Sequence, residues 1–260
     1  MIDINTVEKS FNDFLDKYDI KSDASFKLKI THTYNVVANA EVIAKSLELS
    51  AEDINLAKLI AYLHDIGRFE ELKEFKCFTS VKNDHALFGS KLLFEEGLIR
   101  EFIEDDAYDQ IIKKAIENHS KLKIEDGLNE RELLHCKIIR DADKLDNFRV
   151  NVEETIESRF PNMVDNIEYF NNSLISDKVY SDILNHKCVD IRDRVYPLDY
   201  WLCVLAFVFD LNFKETFKIV KKNDYINVLI NRFNYKNKDI KNKMEEIRKI
   251  LNDYIDMKIK

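Results

Sequence analysis

Only four glycines and two prolines occur in 260 residues, so the chain has little material for tight turns. That scarcity excludes an all-β fold built on hairpins. With 45% hydrophobic and 34% charged residues, it points to a mostly helical globular protein large enough for one sizeable core. A basic stripe is also missing. The net charge of −8 argues against a surface that grips a nucleic-acid polymer, while leaving room for a local basic pocket that takes a small phosphate compound. No long apolar run is present: residues 200–209 reach about half of the ~20 residues needed to cross a bilayer and are bounded by Asp199 and Asp210. They are expected to form a buried core helix, with a homodimer contact as the alternative, and no membrane partner is expected. The acidic first residues lack the apolar segment of a secretory signal. Cysteine is sparse, and Cys77, Cys136, Cys188 and Cys203 show no paired spacing. They read as reduced, buried thiols, and the expected location is cytoplasmic.

What is present is organised around residues 56–69, LAKLIAYLHDIGRF. Leu56, Leu59, Ile60 and Leu63 share one helical face, and the same turn drives His64 and Asp65 inward before Gly67 is expected to stop the helix. Two polar groups buried without partners would cost several kcal/mol, roughly the penalty for unsatisfied polar groups away from water; a metal ion removes it. For a lone pair, a helix-end histidine and a turn aspartate would be the simpler explanation.

The pair is not alone. A helix over residues 7–18 carries Val7, Phe11, Phe14 and Leu15 on one side. The next helix places His32 on the stripe of Val36, Ala40, Ile43 and Leu47. Ser50 with Asp53 resembles a capping box that opens the central helix. Residues 70–82 lack a clean period and are expected to form a loop with a short helical turn. Asn83 or Asp84 then caps a helix with His85, Phe88, Gly89 and Leu92 on one face, closing at Gly97. His119 follows Ile112, Ala115 and Ile116, and Asp143 follows Cys136 and Ile139 on the next helix. His32, His64, Asp65, His85, His119 and Asp143 are therefore the candidate metal ligands; the other two histidines, His135 and His186, fall outside the set.

The wording around these positions, FKLKITHTYNV, HDIGRFEE, NDHALFG and RDADKLDN, resembles the HD superfamily of metal-dependent phosphohydrolases. It is similar to a little-characterised bacterial subgroup, and the likeness covers about residues 26–148. The resemblance implies an all-α fold: an HD-domain helical bundle with additional C-terminal helices over 149–260, read as one domain spanning 1–260. It implies that His32, His64, Asp65 and Asp143 hold one metal, that His85 and His119 hold a second, and that Asp65 bridges. The family's Ala-Asp-Lys-Leu wording selects Asp143 over Asp141, in agreement with the helix face.

Imidazole and carboxylate ligands suit Mn, Fe, Co, Ni or Zn better than Mg, as one or two ions. The implied activity is attack of metal-activated water on a small phosphate ester or anhydride, a nucleotide being the expected substrate, with Asp65 orienting the water. Arg68 and Lys144 are the candidate phosphate-holding side chains, ahead of Lys82, Lys121 and Arg140. Arg68-Phe69 replaces the acidic pair of the guanosine-polyphosphate hydrolases, a Glu of the deoxynucleotidases is replaced by Arg68, and the paired histidines and Gly-Tyr-Pro of the cyclic-di-GMP hydrolases are missing. A di-iron oxygenase and a non-catalytic nucleotide-binding domain are the alternative readings of the same ligand order.

Overall fold

The computed structural model describes residues 2–18, 24–75, 84–159 and 166–260. Among these residues there are helices and no strands, as the lack of turn formers predicts. The chain divides into two compact units, residues 1–143 and 144–260.

The first unit contains α1 (Ile4–Leu15), α2 (Ala24–Ser46), α3 (Ala51–Leu63), α4 (Ile66–Phe75), α5 (His85–Phe94), α6 (Asp109–Asn118) and the first part of α7 (Glu130–Glu153). Helix α3 is its centre. Ser50 caps it by accepting from the Asp53 amide, and Leu56, Leu59, Ile60 and Leu63 are fully buried, as their spacing predicts. Helix α1 buries Val7, Phe11, Phe14 and Leu15. The Phe69 ring on α4 meets Phe11, Phe14, Tyr18 and Phe26 with centroids 6.0, 5.9, 5.7 and 6.4 Å apart. These aromatic contacts pin α4 to α1 and α2.

Three expectations are corrected here. Gly67 does not stop a helix: α3 ends at Leu63, His64 caps it, and Gly67 lies in the first turn of α4. A Cβ on Gly67 would stand 2.5 Å from the His85 carbonyl oxygen and 2.8 Å from the Gly89 amide nitrogen, so this glycine serves the backbone-to-backbone approach of α4 and α5. The expected loop after Glu70 is helical through Phe75; its remainder, with Cys77, Lys82 and the alternative cap Asn83, lies outside the described residues. Helix α5 is capped by Asp84 and ends at Phe94, before Gly97; it buries Ala86, Gly89, Ser90 and Leu93, leaving His85, Phe88 and Leu92 half-buried.

The second unit holds the rest of α7, then α8 (Ile156–Arg159), α9 (Asn166–Asn171), α10 (Asp177–Leu184), α11 (Pro197–Leu205), α12 (Lys214–Lys222), α13 (Tyr225–Ile230) and α14 (Lys238–Ile259). The apolar run at 200–209 is helical and buries Trp201, Leu202, Leu205 and Val208. Cys136 and Cys203 are buried thiols, whereas Cys188 is only partly covered, a correction to the expectation for all four.

Asp199 organises the entry to α11. Fully buried, its carboxylate accepts from the backbone amides of Ser176, Val195 and Tyr196 at 3.0, 2.9 and 2.8 Å. Asp199→Ala leaves these donors without their acceptor and is expected to destabilise this unit by about 2 kcal/mol in chemical denaturation, with Asp199→Asn recovering part of the loss. An unchanged midpoint for the alanine variant would contradict that role.

Candidate metal centre

Six side chains predicted from sequence converge in the structure. His32 projects from the middle of α2, His64 is the C-cap of α3, and Asp65 sits in the turn between α3 and α4. His85 opens α5, His119 is the C-cap of α6, and Asp143 lies within α7. Two triplets form: His32, His64 and Asp143, and Asp65, His85 and His119, each with one ligand atom per residue mutually within 4.8 Å.

Asp65 joins the triplets through its two oxygens. Its Oδ2 is 3.5 Å from His32 Nε2 and 3.2 Å from His64 Nε2; its Oδ1 is 3.4 Å from His85 Nε2 and 3.6 Å from His119 Nε2. Asp143 Oδ1 lies 3.1 Å from His32 Nε2 and 3.8 Å from His64 Nε2. Two ligands each about 2.1 Å from one ion stand roughly 3–3.5 Å apart, so these spacings suit shared coordination.

The local structure fixes the imidazoles. His64 Nδ1 donates to Ala61 O and His119 Nδ1 donates to Ile116 O, each at 2.7 Å and each to a carbonyl three residues back. A carbonyl only accepts, so Nδ1 carries the hydrogen and the neutral ring turns its Nε2 lone pair toward the centre. His64 Nε2 is buried without a hydrogen-bond partner, an arrangement that a bound cation resolves. Both rings also stand at helix C-termini, whose partial negative charge favours a cation.

Neighbouring helices hold these positions. Asn39 Nδ2 on α2 donates to Ala142 O at 3.2 Å, beside Asp143. Arg140 is a fully buried clasp: its Nη1 donates to Asn118 O at 2.7 Å and Lys121 O at 2.6 Å, fixing the turn that bears His119. The contact between Gly67 and Gly89 brings His85 within reach of Asp65.

Electrostatics supports ligand function. Burial lowers the pKa of His64, and burial together with the positive charge of Arg68 lowers that of His85 strongly, so both favour the neutral, lone-pair form. Burial alone would raise the two carboxyl groups. The charge of Lys29 outweighs it and holds Asp65 well below its usual range; a hydrogen bond from the facing His32 does the same for Asp143.

Of the two phosphate-holding candidates, Arg68 stands at the centre, its Nε 3.9 Å from Asp65 Oδ1 and its Nη1 2.6 Å from the buried Glu71. The Lys144 ammonium is paired with Asp210 at 2.8 Å within the second unit. Lys121 pairs with Glu125 at 3.1 Å. His135, outside the predicted set, pairs with Asp53 at 3.1 Å. Sequence reasoning missed Lys29, which forms an ion pair with Asp65 Oδ2, and Glu71, which orients Arg68. The available signal was spacing: Lys29 lies three residues before His32, and Glu71 three after Arg68, each on the same helix face as its neighbour.

Compared with protein-family models, residues 30–147 match the HD domain. The match is consistent with an HD superfamily domain over that segment. No curated protein and no solved structure matches the chain. All six predicted ligands fall within the HD domain match. A ligand that binds only the folded HD domain stabilises it by mass action, by about 2.7 kcal/mol at a hundredfold excess over Kd. Loading with Mn, Co, Ni, Fe or Zn is therefore expected to raise the melting temperature by roughly 5–10 °C, reversibly with a chelator. An unchanged melting temperature with every one of these ions would contradict the assignment.

Proposed function

We propose that the HD domain is a dinuclear metal-dependent phosphohydrolase acting on a small phosphate ester or anhydride, a nucleotide being the substrate class expected. The observation that carries this reading is the placement of one carboxylate, Asp65, with each oxygen facing a different pair of histidines. A divalent ion held by His32, His64 and Asp143, or by Asp65, His85 and His119, would supply hydroxide near neutral pH by lowering the pKa of its water to about 7.

The chain's own residues do the rest. Asp65 sits where it can fix the attacking water between the two triplets. His64 and His119 are locked in the ligand tautomer by their carbonyl partners, so little reorganisation accompanies loading. Arg68, anchored by Glu71, reaches the rim and presents a planar cation to phosphate oxygens. In the hydrolysis, a bond would form between a water oxygen and phosphorus, the bond from phosphorus to the leaving oxygen would break with its electron pair kept by that oxygen, and the water's proton would pass to it.

The test is a nucleotide panel offered to the full chain loaded separately with Mn, Co, Ni and Fe, reading released phosphate, pyrophosphate or nucleoside monophosphate. Turnover that disappears on chelation is the expected result. No turnover of any phosphate compound, or oxygen consumption by an iron-loaded, mixed-valent centre, would overturn the reading.

A further inference from the structure

Two cations flank Asp65, and each approaches a different oxygen. Lys29 forms its ion pair with Oδ2, the oxygen that faces His32 and His64, while Arg68 Nε is 3.9 Å from Oδ1, the oxygen that faces His85 and His119. Each half of the metal centre thus has one basic side chain beside it. Both are largely withdrawn from solvent, with side-chain exposures of 14% for Lys29 and 22% for Arg68. Neither has the reach of a surface lysine. Lys29 is rooted one turn before His32 on α2, and Glu71 holds the Arg68 guanidinium at Nη1.

Resting on the hydrolase reading, we propose that Lys29 and Arg68 form a two-cation clamp across Asp65 that selects a terminal phosphomonoester dianion over a phosphodiester. Placement carries the argument. Lys29 and Arg68 set two positive charges at the two oxygens of one carboxylate, on opposite sides of the centre. A site partly shielded from water favours a ligand that neutralises it, and a phosphomonoester carries two negative charges where a diester carries one. Ions that draw on both oxygens of Asp65 also compete with Lys29 and Arg68 for that carboxylate. The two cations are then directed to the next anion within reach. Lys29 supplies a point charge and Arg68 a planar fork, which together suit a tetrahedral dianion with three terminal oxygens.

The test uses the full chain loaded with manganese, compared as wild type, Lys29→Met, Lys29→Arg and Arg68→Met. Metal per chain is measured by elemental analysis, inorganic phosphate affinity by calorimetry, and kcat/KM on p-nitrophenyl phosphate against methyl p-nitrophenyl phosphate. The expected result is wild-type metal content in all four proteins. Phosphate affinity falls about 10- to 100-fold in each methionine variant and is largely restored in Lys29→Arg. Preference for the monoester collapses along with phosphate affinity. Phosphate binding that is unchanged in both methionine variants, or no phosphate binding by the loaded wild type, would overturn the clamp. So would a gain in metal affinity in Lys29→Met with phosphate affinity unaltered, because Lys29 would then only neutralise Asp65. A wild type that binds phosphate through both cations yet hydrolyses neither ester sinks the hydrolase reading and upholds the clamp. Hydrolysis insensitive to both methionine substitutions does the reverse.

Discussion

Asp65→Ala is expected to release metal from both halves of the centre and to abolish turnover. Loss of an outer-shell partner typically costs about 10- to 100-fold in metal affinity or activity, so removing a ligand shared by both triplets is expected to cost at least about 10³-fold in rate. The geometry makes Asp65 unlike its neighbours. His85 and His119 lie against Oδ1, and His32 and His64 against Oδ2. His85→Ala should therefore lower the metal count by one ion per chain, while Asp65→Ala lowers it by two. Removing the carboxylate also leaves Lys29 without a partner at Oδ2, so Asp65→Asn, of equal size, is the companion variant that separates lost fold from lost ligand. Elemental analysis beside a phosphate-release assay reads both effects. Undiminished metal in a folded Asp65→Ala protein would contradict the bridging role.

Gly67→Ala is expected to be the more damaging of the small-to-larger changes. The added methyl would meet backbone atoms of α5 at 2.5 and 2.8 Å, and backbone cannot swing aside as a side chain does. Helices α4 and α5 must separate, at a cost of about 3 kcal/mol, the upper end for inserting a methyl into close-packed structure. That corresponds to a fall of roughly 6–12 °C in melting temperature for a chain of this size. The shift falls on function too, because the opposing carbonyl belongs to His85 itself, so the half-site of His85 and His119 should lose metal before that of His32, His64 and Asp143. Gly89→Ala is milder: its Cβ would be 3.2 Å from the Gly67 amide nitrogen. Equal melting temperatures for Gly67→Ala and wild type would refute the close approach.

The six side chains that converge were legible because each lies on or at the end of a helix whose apolar stripe is clear. Leu56, Leu59, Ile60 and Leu63 locate α3 without help from the structure, and His32 shares its face with Val36, Ala40 and Ile43, all of them buried. Helix α4 was misread because Gly67 carries two meanings in a sequence, a helix end or a close approach, and only the facing backbone of α5 decides between them. The face of α5 was misplaced for a related reason. His85 is its first residue, so the side chain reaches the metal centre from the helix end while Ala86, Gly89, Ser90 and Leu93 do the packing. Lys29 was passed over because its place three residues before His32 puts it on the ligand face without naming its partner, a carboxylate thirty-six positions away. The polar hub at Asp199 was hidden likewise, since its amide partners at Ser176 and Val195 lie outside its own helix.

The most direct test of the account is an anomalous-scattering map from crystals of the full chain equilibrated with manganese. Two peaks on opposite sides of the Asp65 carboxylate are predicted, one against His32, His64 and Asp143 and the other against His85 and His119. No peak at Asp65, or ions bound only to surface carboxylates, would contradict it.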